Sequence, residues 1–194
     1  MKISWLYNPF IQIAGTGSLW WGLLLMLVTA FLGGLNNVHY DGVIDIHAGM
    51  PAPLTFFILE SIVSWLLFSV FLLIAAKVLS QSKVRAIDIF GTQALARYPY
   101  FLISLISFIP YFHFEFTGMP DLSASLIIFG LISLVFTIWT VILMYNAYSV
   151  SANLKGTKAV VSFIVALVIA EVLFKIILIN SYSSVLRFIN SIQL

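Results

Sequence analysis

One short stretch, NNVHYDGVIDIH at residues 36–47, gathers histidines and aspartates in a chain that is 62% hydrophobic and only 8% charged. Its four ionisable side chains all hold odd positions, so an extended segment would place them on one face. They are His39, Asp41, Asp45 and His47. Imidazole and carboxylate groups suit zinc and similar divalent ions, so the stretch is a candidate metal site.

A second connection, near residues 113–121, adds His113 and Glu115 as further candidate ligands. If both connections emerge on one side of a membrane, they could share a zinc-like divalent ion as a cofactor. The alternative is a pair of hydrated loops whose polar groups end helices and contact water or lipid headgroups. The H-E-x-x-H spacing of zinc metalloproteases does not occur in the sequence, so metal-dependent catalysis has little support and we expect no enzymatic activity.

The composition decides which solvent the chain faces. Soluble domains carry about a quarter charged residues, whereas this chain of 194 residues has 8% and a mean hydropathy of +1.11. Its partner must therefore be the lipid bilayer, and a net charge of +2 gives no basis for binding nucleic acid. The length predicts a single domain over residues 1–194. The chain contains no cysteine, which excludes disulfides and thiolate metal sites.

Long apolar runs predict an all-α, polytopic bundle of five transmembrane helices, because a helix needs about 20 apolar residues to cross a bilayer core. The predicted spans are 19–35, 54–79, 95–112, 122–148 and 158–180. We expect the third span to be short or kinked, since Pro99 and Pro110 lie near its ends and a residue before proline disfavours helix. Amphipathic stretches near both termini predict interfacial helices, at residues 5–11 and 182–194.

Basic residues gather in the connections after the second and fourth spans. These residues are Lys77, Lys83, Arg85, Arg97, Lys155 and Lys158. The other two connections carry acidic residues instead. The positive-inside rule then places the N-terminus in the cytoplasm and the C-terminus outside.

Three ionisable side chains fall inside predicted spans, where a charge costs about 2.5–3.5 kcal/mol at mid-bilayer. At a rise of about 1.5 Å per residue, Glu60, Glu171 and Lys175 all lie in the outer half of the membrane. Asn37 and Ser64 lie at similar depth, so the five residues predict one hydrated pocket that opens outward. Two interpretations stay open: a structural pair between Glu60 and Lys175, or a transport site.

Three segments of the chain resemble the Yip-domain family of integral membrane proteins that interact with Ypt/Rab GTPases, and its bacterial branch in particular. They are YNPF (7–10), IDIFGTQALARYPYFL (87–102) and IWTVILMYNAYSVSANLKGTKAVVSFIVAL (138–167). The resemblance implies a five-span domain, a bacterial cytoplasmic (inner) membrane and a role in membrane organisation. The Asp-Leu-Tyr-Gly-Pro motif of eukaryotic members does not occur, so no functional residue is carried over.

The sequence thus favours a non-enzymatic scaffold, adaptor or membrane-organising protein that contacts another membrane protein or a second copy of itself. A small-solute or ion transporter that uses the outward-facing pocket is the alternative, and an extracytoplasmic metal-binding protein or enzyme is the third. Small residues predict close helix contacts within the bundle or with a partner. They are Gly33, Gly34, Gly130, Ala166 and Ala170.

Overall fold

The computed structural model describes the backbone of residues 4–49, 51–112 and 123–192, and side chains of residues 6–180 within those ranges. Nearly all of the described chain is helical. Its elements are α1 (Ser4–Tyr7), a 3-10 helix (Pro9–Ile11), α2 (Gly15–Asn36), β1 (Val38–His39), β2 (His47–Ala48), α3 (Leu54–Leu79), α4 (Ala86–Leu95), α5 (Tyr98–Ile106), a second 3-10 helix (Pro110–Phe112), α6 (Ala124–Ala152) and α7 (Gly156–Ile192).

Four of these helices are long and apolar enough to cross a membrane: α2, α3, α6 and the first 25 residues of α7, Gly156–Asn180. The prediction of an all-α membrane protein is confirmed at this level. The second predicted span, 54–79, has the same bounds as α3. The first, fourth and fifth predicted spans differ from α2, α6 and α7 only at their ends.

The third predicted span, 95–112, is not one continuous helix. The chain forms α4 before it, α5 within it and a 3-10 helix at its end. Pro99 stands in the first turn of α5, where the missing N–H of proline is tolerated. Hydropathy does not reveal α4, because Thr92 and Gln93 are polar although both are buried in the bundle.

Helix α4 reaches the interior by crossing α2 at close range. A side chain on Gly22 of α2 would lie 2.5 Å from the carbonyl carbon of Ala94, and one on Gly91 of α4 would lie 2.7 Å from the carbonyl oxygen of Gly15. Backbones this close leave no room for a Cβ atom, which is the way small residues bring membrane helices together.

The small residues named from the sequence have different surroundings. Gly33 and Gly34 are tightly surrounded, and Ala166 and Ala170 are buried in the core. Gly130, by contrast, has nothing within 4 Å of an added Cβ among the described residues, so it makes no close contact there, and a contact with a partner stays a prediction. Gly22 and Gly91 were not among the predicted residues.

The bundle has two ends of different character. The hairpin end consists of the α2–α3 connection, residues 37–53, with Phe112 packed near it in a cluster that also holds Tyr40 and Phe129. The basic end consists of the α3–α4 loop and the α6–α7 turn, which are joined where Asn153 Nδ2 donates to Ser82 Oγ at 2.8 Å.

The N-terminal segment lies against the side of α6. The carbonyl of Leu6 accepts a hydrogen bond from Trp139 Nε1 at 2.7 Å, and that of Tyr7 accepts one from Asn146 Nδ2 at 2.7 Å. Phe10 is buried in the core while Leu6 is exposed, an arrangement that ties this segment to the bundle. At the other end α7 stays helical to Ile192, but the side chains of the predicted amphipathic tail lie outside the described residues.

Candidate functional site

The α2–α3 connection folds into a small hairpin over the end of the bundle. Helix α2 ends at Asn37, which has a φ of 54°, a left-handed conformation that asparagine tolerates better than most residues. Strands β1 and β2 then pair antiparallel, with His39 opposite His47. The two imidazole rings stack with centroids 5.5 Å apart. The two histidines lie on one face because they are cross-strand partners. They do not belong to a single extended strand, since the chain turns between them.

His39 holds the hairpin to α3 through a buried pair. Its Nδ1 atom lies 3.0 Å from Oε1 and 3.1 Å from Oε2 of Glu60. The two side chains are 4% and 2% exposed. Phe57, one helical turn before Glu60 on α3, stacks on the imidazole at 4.4 Å. Both polar groups are therefore removed from solvent and satisfy each other, as buried ionisable groups must.

Lys175 of α7 holds the hairpin from the other side. Its ammonium donates to Asp45 Oδ2 at 2.7 Å and to Asp41 Oδ2 at 3.0 Å. His47 Nδ1 lies 3.2 Å from the second oxygen of Asp41. One lysine thus binds two carboxylates, and a histidine shares one of them.

Asp41 and His47, which pair with each other in the hairpin, have shifted pKa values. Burial alone would raise the pKa of Asp41, but hydrogen bonds and positive charge from His47 and Lys175 lower it to about 2. The hydrogen bond to Asp41 raises the pKa of His47, against the effect of burial, and the charge of Asp45 adds to the rise. Both shifts favour the charged forms, Asp⁻ and His⁺, which attract each other.

Glu171 lies one turn before Lys175 on α7 and binds the backbone of the turn. Its Oε2 accepts a hydrogen bond from the N–H of Val43 at 2.7 Å. Gly42 makes this approach possible, since a Cβ there would overlap Glu171 Oε1 and lie 2.9 Å from Asp45 Cβ. Helix α7 therefore binds the hairpin in two ways. Glu171 accepts a hydrogen bond from the hairpin main chain, and Lys175 binds the two hairpin aspartates.

Arg97, between α4 and α5, is a buried cation that sequence reasoning placed in the cytoplasmic group. This was wrong: the residue is 4% exposed and lies within the bundle. Its Nη1 donates to Ser64 Oγ at 3.0 Å, while Nε and Nη2 have no hydrogen-bond partner among the described residues. The sequence signal for this burial was that Arg97 falls inside the predicted span 95–112.

A small cavity adjoins this guanidinium. Its volume of about 10 Å³ is close to the least that holds one water molecule. The residues that line it with Arg97 are Met26, Thr29, Tyr40, Ser61 and Tyr100. Four of these five carry hydroxyl groups, so the surroundings of the arginine are polar though enclosed.

The predicted pocket residues are distributed over three sets of contacts. Glu60 pairs with His39, Glu171 and Lys175 bind the turn, and Ser64 binds Arg97. Asn37 has its place as the cap of α2. Among the described residues, Glu60 and Lys175 are not within ion-pair distance of each other, so each is bound by the hairpin instead.

The predicted metal ligands are only partly brought together. Ligand atoms of Asp41, Asp45 and His47 lie within 4.8 Å of one another. The ammonium of Lys175 already binds both carboxylates, so a divalent ion would have to displace it. His39 Nδ1 is directed to Glu60 instead. His113 and Glu115 lie outside the described residues.

Comparisons of the chain with protein-family models, with curated proteins and with solved structures find no match. The fold and the site define the class: an all-α protein with four helices long and apolar enough for a membrane and a polar network under the hairpin at one end of the bundle.

Proposed function

We propose that the chain is a five-pass integral membrane protein without enzymatic activity, which acts as a scaffold, adaptor or organiser of the membrane. The Yip-like segments support the family and a bacterial cytoplasmic membrane. The observation that carries the proposal is the pairing of the carboxylates under the hairpin: Asp41, Asp45, Glu60 and Glu171 each have a bond within the protein. A transport site would have to break such bonds to take up a solute, whereas a scaffold uses them to fix its shape.

In this proposal the third pass is made by α4 and α5 in succession. Residues 86–106 would extend about 31 Å if helical throughout, close to the thickness of a hydrocarbon core of about 30 Å. The short break between them lies at Arg97, inside the bundle, where irregular backbone is tolerated in membrane proteins. Five passes place the two ends of the bundle on opposite sides, with the basic end in the cytoplasm.

Topology can be tested directly because the chain has no cysteine of its own. Single variants Ala48→Cys in the hairpin and Ser82→Cys in the α3–α4 loop report the two ends. We expect a membrane-impermeant maleimide to label Ala48→Cys in intact cells and Ser82→Cys only after permeabilisation. Labelling of both variants in intact cells would contradict the five-pass arrangement.

The scaffold role predicts a stable protein partner. Crosslinking in native membranes, followed by affinity purification, should recover a membrane protein in a fixed ratio to the chain. Proteoliposomes of the purified protein should show no uptake of chloride or of protons. Recovery of the chain alone, together with solute uptake, would replace the scaffold by the transporter.

A transporter is the second candidate, and the observation that favours it is the buried guanidinium of Arg97. An intramembrane cation with free N–H groups marks functional sites in many membrane proteins. In that case Arg97→Gln would abolish chloride uptake while the protein kept its helical content and its monodisperse elution. Equal uptake by the parent and the variant would remove Arg97 from any transport path.

A further inference from the structure

The seam between α3 and α7 opens into an apolar groove at the basic end. The groove has a volume of about 590 Å³ and faces outward from the bundle. Ala75 on α3 and Ala166 on α7 leave this space because their side chains are short. The rings of Phe68 on α3 and Phe163 on α7, both buried, meet with centroids 5.6 Å apart.

The mouth of this groove carries a cation. Thr157 and Lys158, in the first turn of α7, belong to its lining, and both are exposed. The remaining lining is almost wholly aliphatic and aromatic. It includes Phe71, Ile74, Val78, Val161, Val165 and Ile169. The groove therefore combines a long apolar wall with a positive charge at the level where headgroups lie.

Within the part of the chain that the structure describes, the lysine charges at this end have no acidic partner. Asp88 is bound by Arg85 through two hydrogen bonds of 2.7 and 2.8 Å. No carboxylate of the described residues lies within ion-pair distance of any lysine at this end. These lysines are Lys77, Lys83, Lys155 and Lys158. The charge therefore remains available to an anion from outside the chain.

We propose that this groove binds one acyl chain of an anionic phospholipid, with the lipid phosphate at Lys158. This inference rests on the proposed membrane-spanning arrangement, which puts the groove in one leaflet and Lys158 at its surface. A zwitterionic lipid offers the same acyl chain, but its headgroup brings its own cation next to the phosphate. The anionic headgroup is therefore preferred.

A second groove in the same seam provides an internal contrast. It lies at the hairpin end between Leu59 of α3 and Ile177 of α7, with a volume of about 300 Å³. Its polar lining residue is Glu60, a carboxyl group. An acyl chain fits either groove, but an anionic headgroup suits only the one that ends at Lys158.

The test uses the purified full chain in nanodiscs that contain equal amounts of phosphatidylglycerol and phosphatidylcholine. Lipids retained after detergent extraction are counted by native mass spectrometry. We expect one phosphatidylglycerol per chain to be retained in preference to phosphatidylcholine. Lys158→Gln should weaken this retention about five-fold, since one basic residue near a membrane surface contributes roughly that factor.

Two further variants separate the groove from diffuse attraction. Lys83→Gln removes the same charge from the same end but not from the groove, so retention should stay as in the parent protein. Ala75→Phe fills the groove without changing charge and should reduce retention of both lipids. Circular dichroism confirms folding of each variant.

Three outcomes would overturn the inference. They are equal retention of the two lipids, equal losses in Lys158→Gln and Lys83→Gln, and a second copy of the chain crosslinked along the α3–α7 seam in place of lipid. None of them depends on orientation, because both nanodisc leaflets have the same composition. A failure of the scaffold proposal therefore leaves the lipid-binding result unchanged, and the two failures can be told apart.

Discussion

The two ends of the bundle treat charge in opposite ways. At the hairpin end, acidic and basic groups from the hairpin, α3 and α7 bind one another in partly or fully buried pairs. At the basic end, lysines stand exposed beside an apolar groove, without carboxylate partners among the described residues. Charges that are paired inside a protein fix its shape, whereas exposed charges without a partner in the protein attract ions or ligands of opposite charge. We therefore expect the hairpin end to contribute to stability and the basic end to carry the proposed lipid site.

The largest effect is expected when one member of a buried pair at the hairpin end is replaced, so that the other is left without its partner. His39→Leu removes the partner of the Glu60 carboxyl, which is 2% exposed. We expect a loss of about 3–5 kcal/mol in the free energy of unfolding, the usual effect of stranding a buried charge. The measurement is unfolding of the purified protein in detergent.

The matched control is the double variant His39→Leu/Glu60→Leu, which replaces both polar groups by apolar ones. It should be more stable than His39→Leu alone, because no unpaired carboxyl remains. A single variant as stable as the parent protein would show that this pair does not hold the hairpin.

Acid should weaken the hairpin end through Asp41. The folded pKa of about 2 lies below the ordinary 3.8. The stabilisation is therefore complete above pH 4 and is lost as the pH falls toward 2. At about 1.4 kcal/mol for each pKa unit, it amounts to about 2 kcal/mol. The stability of the parent protein should fall over this range more steeply than that of Asp41→Asn.

His47 gives the opposite sign and a smaller effect. Its pKa is raised, so its contribution is present below pH 6.5 and is lost as the pH rises through the folded pKa. The side chain is 47% exposed, and solvent screening keeps this contribution small. His47→Gln should remove the decline on the alkaline side.

Gly42→Ala sharpens the comparison by testing how tightly α7 grips the turn. The new methyl group overlaps Glu171 Oε1 and lies 2.9 Å from Asp45 Cβ, so the turn has to shift. We expect a loss of about 1–3 kcal/mol, as for other overpacked sites. Gly130→Ala is the matched control, because its Cβ would meet nothing within 4 Å. Equal stabilities of the two variants would contradict the tight packing at Gly42.

The smallest effect belongs to the basic end. Lys83→Gln should change the free energy of unfolding by no more than about 0.5 kcal/mol, as is usual for exposed residues outside packed contacts. Thermal unfolding beside His39→Leu measures both. A large loss in Lys83→Gln would mean that the basic end also stabilises the bundle.

The sequence predicted most of the fold, because long apolar helices follow directly from composition and length. It did not predict α4, whose polar residues are buried by the close crossing at Gly22 and Gly91. It also placed Glu60 and Lys175 toward the same end of the bundle, where both contact the hairpin, since the helical rise is constant. The depth of a residue does not say in which direction its side chain points around its helix. That direction decides that Glu60 pairs with His39, whereas Lys175 pairs with Asp41. The free N–H groups of Arg97 likewise depend on three-dimensional packing.

The grip of α7 on the hairpin also sets an order of assembly. The Lys175–Asp41 bond joins residues 134 positions apart. During synthesis Asp41 emerges 134 residues before Lys175, so the aspartates have no lysine partner until α7 is made. A chain cut short before residue 171 would carry α1 to α6 and an uncompensated acidic turn. Synthesis of α7 is therefore the step that completes the charge pairing at the hairpin end.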